Sequence, residues 1–385
     1  MTDGAPLRII HVFRAPLGGL FRHVMDLARG QVDAGHQVGI LCDSVAGNPR
    51  DHEKLEALEP ELALGLRRMP MARVPSLHDR HALTMMAAFH REARPDVIHG
   101  HGAKGGAFAR LPGFYTRGWP VTCYTPHGGS FHYAPGTAVH RVYTTAERIL
   151  ARRTGALLME SHFIARKVRE TLGQVEVPIH VVHNGISESE FAPVTRSADA
   201  ADLLYVGELR FEKGVDTVLD ALAMLSEEGL RPTIRIQGSG PHETALHDRV
   251  RSLGLAEQVR FAPAGPVREG FENARIMIVP SRKESLPYVV LEAAGAGVPL
   301  ISTDVGGIPE IFGPFSDRLI PAGEPPVLRD AIRAALRQPE QELRRNAEEL
   351  ALFVRGNFAM SRMISEVEDA YRRALATRAD LQRRH

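Results

Sequence analysis

Short apolar segments alternate with helix-like segments along the whole 385-residue chain, and this alternation restricts the possible folds more than any other feature. Strands buried on both faces form almost continuous apolar runs, and strands that are joined through helices run parallel. The alternation therefore predicts an α/β protein with doubly wound parallel sheets. The predicted strands lie near residues 7–13, 37–42, 96–99, 120–124, 156–159, 179–182, 202–206, 232–237, 258–261, 276–279, 299–302 and 318–320. The predicted helices lie near 19–34, 50–64, 80–92, 138–151, 161–171, 214–227, 241–253, 287–296 and 325–337.

A break in this alternation divides the chain into two parts. Residues 186–201 are rich in Ser, Glu, Ala and Pro and lack a sustained apolar pattern, as expected of a linker. We therefore predict two Rossmann-like domains, residues 1–190 and 191–355, with a cleft at the carboxyl ends of both sheets. A helix over residues 356–378 is expected to rejoin the first domain.

The composition excludes several classes of protein. An apolar content of 44% and a charged content of 24% are typical of soluble globular proteins. Cys42 and Cys123 favour a reducing cytoplasm over a disulfide framework. The basic residues are dispersed and match no nucleic-acid-binding motif. Six arginines of the first domain could form a basic face for anionic lipid headgroups, although ordinary solvated helix faces explain them equally well: Arg22, Arg29, Arg67, Arg68, Arg91 and Arg94.

The segment Ser281–Glu292 carries the strongest functional pattern. It follows the apolar run Ile276–Val279, and Pro287 suits the first turn of a helix. Glu284 should then precede the helix, while Glu292 lies within it. Backbone N–H groups at a helix start can bind a diphosphate, and flanking carboxylates can bind hydroxyls. The pattern favours a sugar-nucleotide site, and ordinary helix-capping acids are the alternative.

Two other loops of the second domain follow predicted strands. Arg210 and Lys213 lie where the strand near 202–206 gives way to a helix. Two fixed cations there could stabilise a diphosphate as a leaving group, although a solvated charge pair is an equal alternative. Gly238 and Gly240 would allow backbone to approach a ligand closely, or would simply form a turn.

The loops of the first domain are also rich in glycine. Gly18 and Gly19 permit close backbone contact with a ligand at a helix start, although a plain strand-to-helix turn is an equal alternative. They do not form the G-x-G-x-x-G pattern, which disfavours a hydride-transfer cofactor. His127 precedes two glycines at a strand end, so its ring could enter the cleft, and an exposed loop side chain is the alternative. His132 and Tyr133 could contact sugar hydroxyls or sugar faces, or be exposed side chains.

The sequence His99-Gly-His101 ends another predicted strand. Alternation along a strand places both rings on the same side, which suits a metal ion. No third ligand accompanies them at a useful spacing, however. We therefore expect a structural role or a wall of an acceptor pocket, and no metal site.

Taken in order, these motifs resemble glycosyltransferase family 4, the retaining nucleotide-sugar transferases of GT-B fold. The most specific element is Glu284-x(7)-Glu292 within Ser-Arg-x-Glu-Ser-Leu-Pro-x-x-x-Leu-Glu-Ala. The supporting elements are Gly18-Gly19, Val182-His-Asn-Gly185, Val206-Gly-x-Leu with Lys213-Gly, and Gly238-x-Gly240. The chain looks like bacterial members that build exopolysaccharides or lipid-linked oligosaccharides.

The resemblance implies a role for each matched residue. Glu292 would bind the ribose, and Glu284 would lie near the donor sugar. The remaining donor contacts would be Ser285, Leu286 and Gly19 on the phosphates, Lys213 and an arginine on the diphosphate, and His127 on the sugar. Many relatives carry Arg where this chain has Glu208, so Arg210 is the nearest substitute.

The implied reaction is transfer of a hexose from a UDP- or GDP-sugar to a hydroxyl of a saccharide or polyprenyl-linked acceptor, with retained configuration. The enzyme would need neither cofactor nor metal. It would act in the cytoplasm, at the inner face of the membrane, in cell-surface polysaccharide synthesis. The alternatives are a nucleotide-sugar epimerase or hydrolase of the same fold, and a non-catalytic sugar-nucleotide-binding protein.

Overall fold

The computed structural model describes residues 4–73, 79–128, 137–173 and 175–383. The chain folds into two compact units, Met1–Asn184 with Met360–His385, and Gly185–Ala359. The first unit ends at Asn184, a few residues before the predicted boundary at 190. The reason is that Ile186 already pairs with Ala359 of the second unit.

Unit 1 contains a seven-stranded sheet with the order β3-β2-β1-β4-β5-β6-β7. Every pairing in it is parallel, because each crossover passes through a helix or a long connection. Its strands are β1 (Arg8–Phe13), β2 (Gln37–Asp43), β3 (Gly65–Met69), β4 (Val97–His101), β5 (Val121–Thr125), β6 (Ala156–Met159) and β7 (Ile179–Val181). Its first six helices are α1 (Gly18–Asp33), α2 (Pro49–Leu58), α3 (Asp79–Ala93), α4 (Gly102–Arg110), α5 (Ala138–Ala151) and α6 (His162–Leu172).

Unit 2 contains a five-stranded parallel sheet with the order β10-β9-β8-β11-β12. Its strands are β8 (Ala201–Val206), β9 (Ile234–Gln237), β10 (Val259–Ala262), β11 (Ala274–Val279) and β12 (Leu300–Ser302). Its helices are α7 (Val215–Glu227), α8 (Glu243–Ser252), α9 (Val267–Glu272), α10 (Tyr288–Gly295), α11 (Ile308–Phe312), α12 (Pro325–Arg337) and α13 (Glu340–Asn357). Apolar clusters lie on both faces of this sheet, as in a doubly wound domain.

Some elements differ from the sequence expectation. Helix α4 is absent from the predicted helices, because the glycines of Gly-Ala-Lys-Gly-Gly hide its helical pattern. Strand β3 is absent from the predicted strands, because its two central arginines weaken the apolar run. The strand predicted at 318–320 is wrong, since only one bridge, Thr303 to Ile320, forms there.

The last helix, α14 (Met360–Arg383), belongs to unit 1. It begins at Met360, four residues after the start predicted at residue 356, because the preceding helix continues to Asn357 and residues 358–359 separate the two. Met363, Val367 and Tyr371 pack into the same buried cluster as Ile9 and Leu27 of β1 and α1. The Glu368 carboxylate lies 3.0 Å from Nε2 of the buried His36. The helix is therefore part of the core of the first sheet domain.

This packing makes unit 1 sensitive to truncation of side chains on α14. Met363 is 1% exposed, and Met363→Ala should lower the free energy of unfolding by about 2–5 kcal/mol, because it leaves a cavity. Urea unfolding monitored by circular dichroism measures the loss. Ser365→Ala, at an exposed position of the same helix, should have almost no effect. Equal midpoints for the two variants would mean that α14 is not packed as described.

Candidate active site

A close ion pair lies beyond the carboxyl ends of β8 and β11 in unit 2. These strands are neighbours and run parallel, so the loops that follow them meet at one edge of the sheet. Nζ of Lys213 lies 2.6 Å from Oε1 of Glu284. Both side chains are largely buried, with exposed fractions of 18% for Lys213 and 9% for Glu284. The structure therefore brings together two residues that lie 71 positions apart in the sequence.

The Glu284 carboxylate is held by a second donor. The hydroxyl of Ser281 donates to the same Oε1 at 2.7 Å, and the Thr303 hydroxyl donates to the Ser281 carbonyl at 2.7 Å. Two glycines with positive φ allow the surrounding loops to come this close, Gly214 at +69° and Gly306 at +64°. A Cβ on Gly214 would collide with the Pro280 carbonyl, and one on Gly306 with the Glu284 carbonyl.

The two arginines near this pair differ in their surroundings. The Arg210 side chain is 46% exposed and lies 3.4 Å from Glu208 and 4.0 Å from Glu212. Its charge is therefore shared between two exposed carboxylates. Arg282, in contrast, forms two hydrogen bonds with Asp216 at 2.7 and 2.8 Å and packs over the Phe211 ring.

Arg282 is a residue that sequence reasoning missed. It also donates to the Phe211 carbonyl, and its own N–H bonds the Glu212 carbonyl at 2.7 Å. Burial raises the pKa of Asp216, but the hydrogen bonds and charge of Arg282 outweigh it and give a net lowering. Arg282 thus ties the Ser281–Glu292 loop to the loop that carries Lys213. The sequence signal that could have identified Arg282 is its position between Ser281 and Glu284 of the motif.

Helix α10 begins at Tyr288, one residue after the predicted start, with Pro287 at the N-cap. Glu284 precedes the helix and Glu292 lies within it, partly buried. Ser285 and Leu286 occupy the loop directly before the helix, where the Ser285 carbonyl accepts the Gly307 N–H at 2.6 Å. Leu286 is buried in the core. The loop is thus fixed from both sides, which suits its backbone for holding a ligand.

Gly238 follows β9, the neighbour of β8 on its other side. Its φ is +156°, and a Cβ there would collide with the carbonyl of Gly207. The N–H of Leu209 bonds the Ser239 carbonyl at 2.9 Å. The glycine therefore serves the close packing of these two loops, which brings the segment after β9 next to the segment that carries Arg210.

In unit 1, helix α1 has an open N-terminus. It starts at Gly18, whose φ is +63° and around whose Cβ position there is open space. Gly18 and Gly19 are exposed, and no acidic residue lies in the first turn. The first N–H groups of this 16-residue helix can therefore receive an anion.

His127 follows β5 and has an unusual backbone. Its φ is +49°, and Arg94 is the other non-glycine residue with positive φ in the part of the chain that the structure describes. Such a conformation is strained for a side-chain-bearing residue and is often found at functional sites. Nε2 of His127 lies 3.2 Å from Nδ1 of His101, and burial places the pKa of His127 well below its usual value.

His99 and His101 lie on one face of the sheet, as predicted, but they are part of a larger group. The expectation that no third ligand would accompany them is wrong. β1 pairs with β4 so that His11 lies directly beside His99, and α1 brings His23 to within 5.6 Å of the His101 ring centre. All four are buried. Sequence spacing could not show this, because the contacts depend on which strands and helices are neighbours.

Hydrogen bonds account for both nitrogens of the three sheet histidines. His11 contacts Gln31 at 2.8 Å and His101 at 3.0 Å. His99 contacts the hydroxyls of Tyr371 at 2.6 Å and Thr125 at 2.9 Å. Burial lowers the pKa of His11 and of His23 to about 4, and those of His99 and His101 well below 6.5. These rings are therefore neutral at pH 7.

Two groups of predicted residues have a different outcome. His132 and Tyr133 lie outside the described residues. Of the six arginines proposed as a basic face, three are paired with carboxylates, which reduces the net charge of that face. The pairs are Arg22–Asp26, Arg67–Glu92 and Arg68–Glu56. No helix within the described ranges is long and apolar enough to cross a membrane.

The sequence matches two family descriptions that together span most of the chain. Residues 17–190 match Glycosyltransferase Family 4, and residues 187–351 match Glycosyl transferases group 1. Over 320 residues the chain is 29% identical to a glycogen synthase of Mycobacterium tuberculosis (strain CDC 1551 / Oshkosh), a match that covers 76% of each chain.

Solved structures share the fold. Sucrose-phosphate synthase from Thermosynechococcus elongatus matches with a TM-score of 0.77 and 18% identity, over 96% of this chain and 100% of that chain. Anabaena HepE in complex with UDP-glucose matches with a TM-score of 0.76 and 18% identity, over 94% of this chain and 98% of that chain. The predicted GT-B fold, with two Rossmann-like domains, is confirmed.

The buried histidines should make stability depend on pH. A histidine with a lowered pKa in the folded state is protonated first in the unfolded chain. The free energy of unfolding should therefore fall as the pH decreases from 6.5 towards 4, by up to about 1.4 kcal/mol per pH unit for each such histidine.

Urea unfolding between pH 7.5 and 4.5 tests this dependence. The variant His11→Gln lacks one buried histidine, so the slope of its free energy of unfolding against pH should be smaller by up to about 1.4 kcal/mol per pH unit. The matched control is His81→Gln, at an exposed position of α3, which should leave the slope unchanged. The same slope for wild type and His11→Gln would contradict neutral burial of His11.

Proposed function

This chain belongs to glycosyltransferase family 4, and we propose that it transfers a hexose from a nucleoside diphosphate sugar to an acceptor hydroxyl, with retention of configuration. The observation that carries the proposal is the Lys213–Glu284 pair beside the start of α10. A cation, the backbone N–H groups of a helix start and a carboxylate at one strand edge are what a diphosphate attached to a sugar requires. The complex of HepE with UDP-glucose supports this class of donor.

We assign the diphosphate to Lys213 and to the backbone of Ser285 and Leu286. Lys213 shares its charge with Glu284, and a diphosphate would compete for the same ammonium group. Arg210 is exposed enough to move towards the diphosphate, but Glu208 and Glu212 lie beside it. We therefore expect Lys213 to contribute more than Arg210.

The other donor contacts follow the same family pattern. We assign the ribose to Glu292, the donor sugar to Glu284 and His127, and the phosphates also to Gly18 and Gly19. Gly238 shapes the loop next to Arg210. The carboxylate of Glu284 is already oriented by Ser281, so it can accept a sugar hydroxyl without first being ordered.

In the proposed mechanism the diphosphate leaves first, and the positive charge of Lys213 stabilises it. A departing phosphate oxygen accepts the proton of the acceptor hydroxyl, which attacks the same face of the sugar. The proposal therefore needs neither a separate general base nor a metal ion. Most of the rate comes from positioning and charge stabilisation.

We propose a UDP- or GDP-sugar as donor and a saccharide or polyprenyl-linked acceptor, in cell-surface polysaccharide synthesis. The reaction would take place in the cytoplasm, with peripheral contact to the inner face of the membrane. Because three of the six arginines are paired with acids, such contact would rest on Arg29, Arg91 and Arg94.

Lys213→Met should lower kcat about 10²- to 10³-fold, because a developing charge on the diphosphate loses its cation. Steady-state transfer of a radiolabelled sugar from the donor found by a calorimetric screen of UDP-, GDP- and ADP-sugars measures the loss. Lys283→Met is the matched control, since Lys283 is exposed in the same loop and should retain activity. A kcat near that of wild type in Lys213→Met would exclude the assigned role.

Glu292→Ala should raise the KM for the donor about ten-fold or more, because a carboxylate that bonds ribose hydroxyls is lost, while kcat changes less. Calorimetry with the free nucleoside diphosphate gives the same loss without turnover. Unchanged nucleotide affinity would show that Glu292 does not hold the ribose.

Incubation with donor alone separates the remaining alternatives. An epimerase or hydrolase would convert the donor rapidly without acceptor, whereas a transferase should be slow. Tight donor binding with no transfer to any member of a broad acceptor panel would instead indicate a non-catalytic binding protein.

A further inference from the structure

A continuous chain of hydrogen bonds leads from helix α1 through the sheet to His127. Oε1 of Gln31 lies 2.8 Å from Nε2 of His11, and Nδ1 of His11 lies 3.0 Å from Nε2 of His101. Nδ1 of His101 then lies 3.2 Å from Nε2 of His127. Gln31, His11 and His101 are fully buried, so the bonds between them are shielded from solvent.

These hydrogen bonds all run in the same donor-to-acceptor direction because each ring is neutral. Burial keeps the pKa values of His11, His101 and His127 far enough below 7 that each ring carries one N–H and one lone pair. The Gln31 oxygen can only accept, so Nε2 of His11 carries the proton and its Nδ1 accepts from His101. By the same step, His101 accepts from Nε2–H of His127.

The nitrogen that carries the proton in His127, at one end of these hydrogen bonds, is therefore determined by Gln31 at the other end. With its proton on Nε2, His127 has a bare lone pair on Nδ1. Among the residues that the structure describes, nothing is hydrogen-bonded to this atom. We propose that Gln31, acting through His11 and His101, fixes the tautomer of His127 so that Nδ1 accepts a hydrogen bond from a hydroxyl of the donor sugar. The substrate in this inference rests on the proposed function.

The surroundings of His127 hold its ring in place for this contact. His23 packs edge-on against it with ring centres 4.8 Å apart, and Asn184 holds His23 through Oδ1 at 3.0 Å from Nδ1. The positive φ of His127 fixes the direction from which its ring leaves the backbone. Gln31 and His11 are therefore positioning residues, since they act on substrate only through other rings.

A metal ion is the competing explanation for the cluster. His11, His99 and His101 have ligand atoms within 4.8 Å of one another, and so do His23, His101 and His127. Each of the six nitrogens of His11, His99 and His101, however, already lies within hydrogen-bond distance of a protein atom. A metal ion would have to displace several of these bonds, so we infer the hydrogen-bonded chain.

Nuclear magnetic resonance of the ¹⁵N-histidine-labelled protein tests the tautomer without any substrate. Long-range ¹H–¹⁵N spectra distinguish a bare nitrogen from a protonated one, and the loss of one ring's signals in His127→Gln assigns His127. The wild type should show His127 with the proton on Nε2. Gln31→Met removes the acceptor at similar size, and His127 should then shift partly or fully to the Nδ1–H form. Gln31→Glu retains an oxygen at this position and should retain the wild-type tautomer.

The kinetic arm links the tautomer to catalysis. Gln31→Met should lower kcat/KM for the donor about ten-fold, because an N–H then faces the sugar hydroxyl that needs an acceptor. Gln31→Glu should recover most of this loss. Val24→Ala is a control for general loosening of α1, since Val24 is buried in the same helix outside the chain of bonds, and should leave kcat/KM near the wild-type value.

Donor analogues identify the contact. In a set of monodeoxy-fluoro donors, one position should be penalised in the wild type and much less in Gln31→Met, because fluorine cannot donate a hydrogen bond. Equal penalties at every position in both proteins would overturn the inference. So would Nδ1–H at His127 in the wild type, an unchanged tautomer in Gln31→Met, or one tightly bound zinc ion per chain. Failure of the proposed function would differ, since no donor would be used while the tautomer result would stand.

Discussion

Every pairing between the described strands of the two sheets is parallel, and this constraint places most of the candidate functional residues. In a parallel sheet the carboxyl ends of all strands meet at one edge, so the loops that follow neighbouring strands must lie beside one another. The order β1-β4-β5 therefore gathers His101 and His127 near the start of α1. The order β9-β8-β11 gathers Gly238, Lys213 and Glu284 in the same way.

Close approach of these loops depends on residues that have no side chain. Gly214 and Gly306 each lie against a backbone carbonyl, at φ values that other residues rarely adopt. The glycines next to the acidic motif thus have a packing role that precedes any contact with ligand. Arg282, in contrast, joins two loops through hydrogen bonds. It bonds the Asp216 carboxylate and the carbonyls of Phe211 and Glu212.

Much of the fold could be predicted from the sequence, because apolar runs such as Ile276–Val279 are strong signals for buried parallel strands. The Glu284–Glu292 spacing around Pro287 likewise predicted the helix start to within one residue. The glycine-rich α4 and the arginine-containing β3 were missed because composition there opposes the local structure. Of the histidine cluster, only the placement of His99 and His101 on one face of a strand could be predicted. Its members come from β1, α1, β4 and the loop after β5, and only the sheet order shows that they touch.

The candidate site residues of the two units differ in charge, since unit 2 has an ion pair and unit 1 has neutral histidines. In unit 2, Lys213 and Glu284 form a largely buried ion pair, and this is the pair that we propose a diphosphate engages. In unit 1, burial keeps five clustered histidines neutral. A neutral imidazole has one donor and one acceptor nitrogen, so only neutral rings can form a row of hydrogen bonds that all run in the same direction. A single protonated ring would reverse or break that order, because an imidazolium donates from both nitrogens. The deep burial of His11 and His101 is therefore a condition for His127 to present a lone pair, and the packing of α1 and α14 over the sheet provides it.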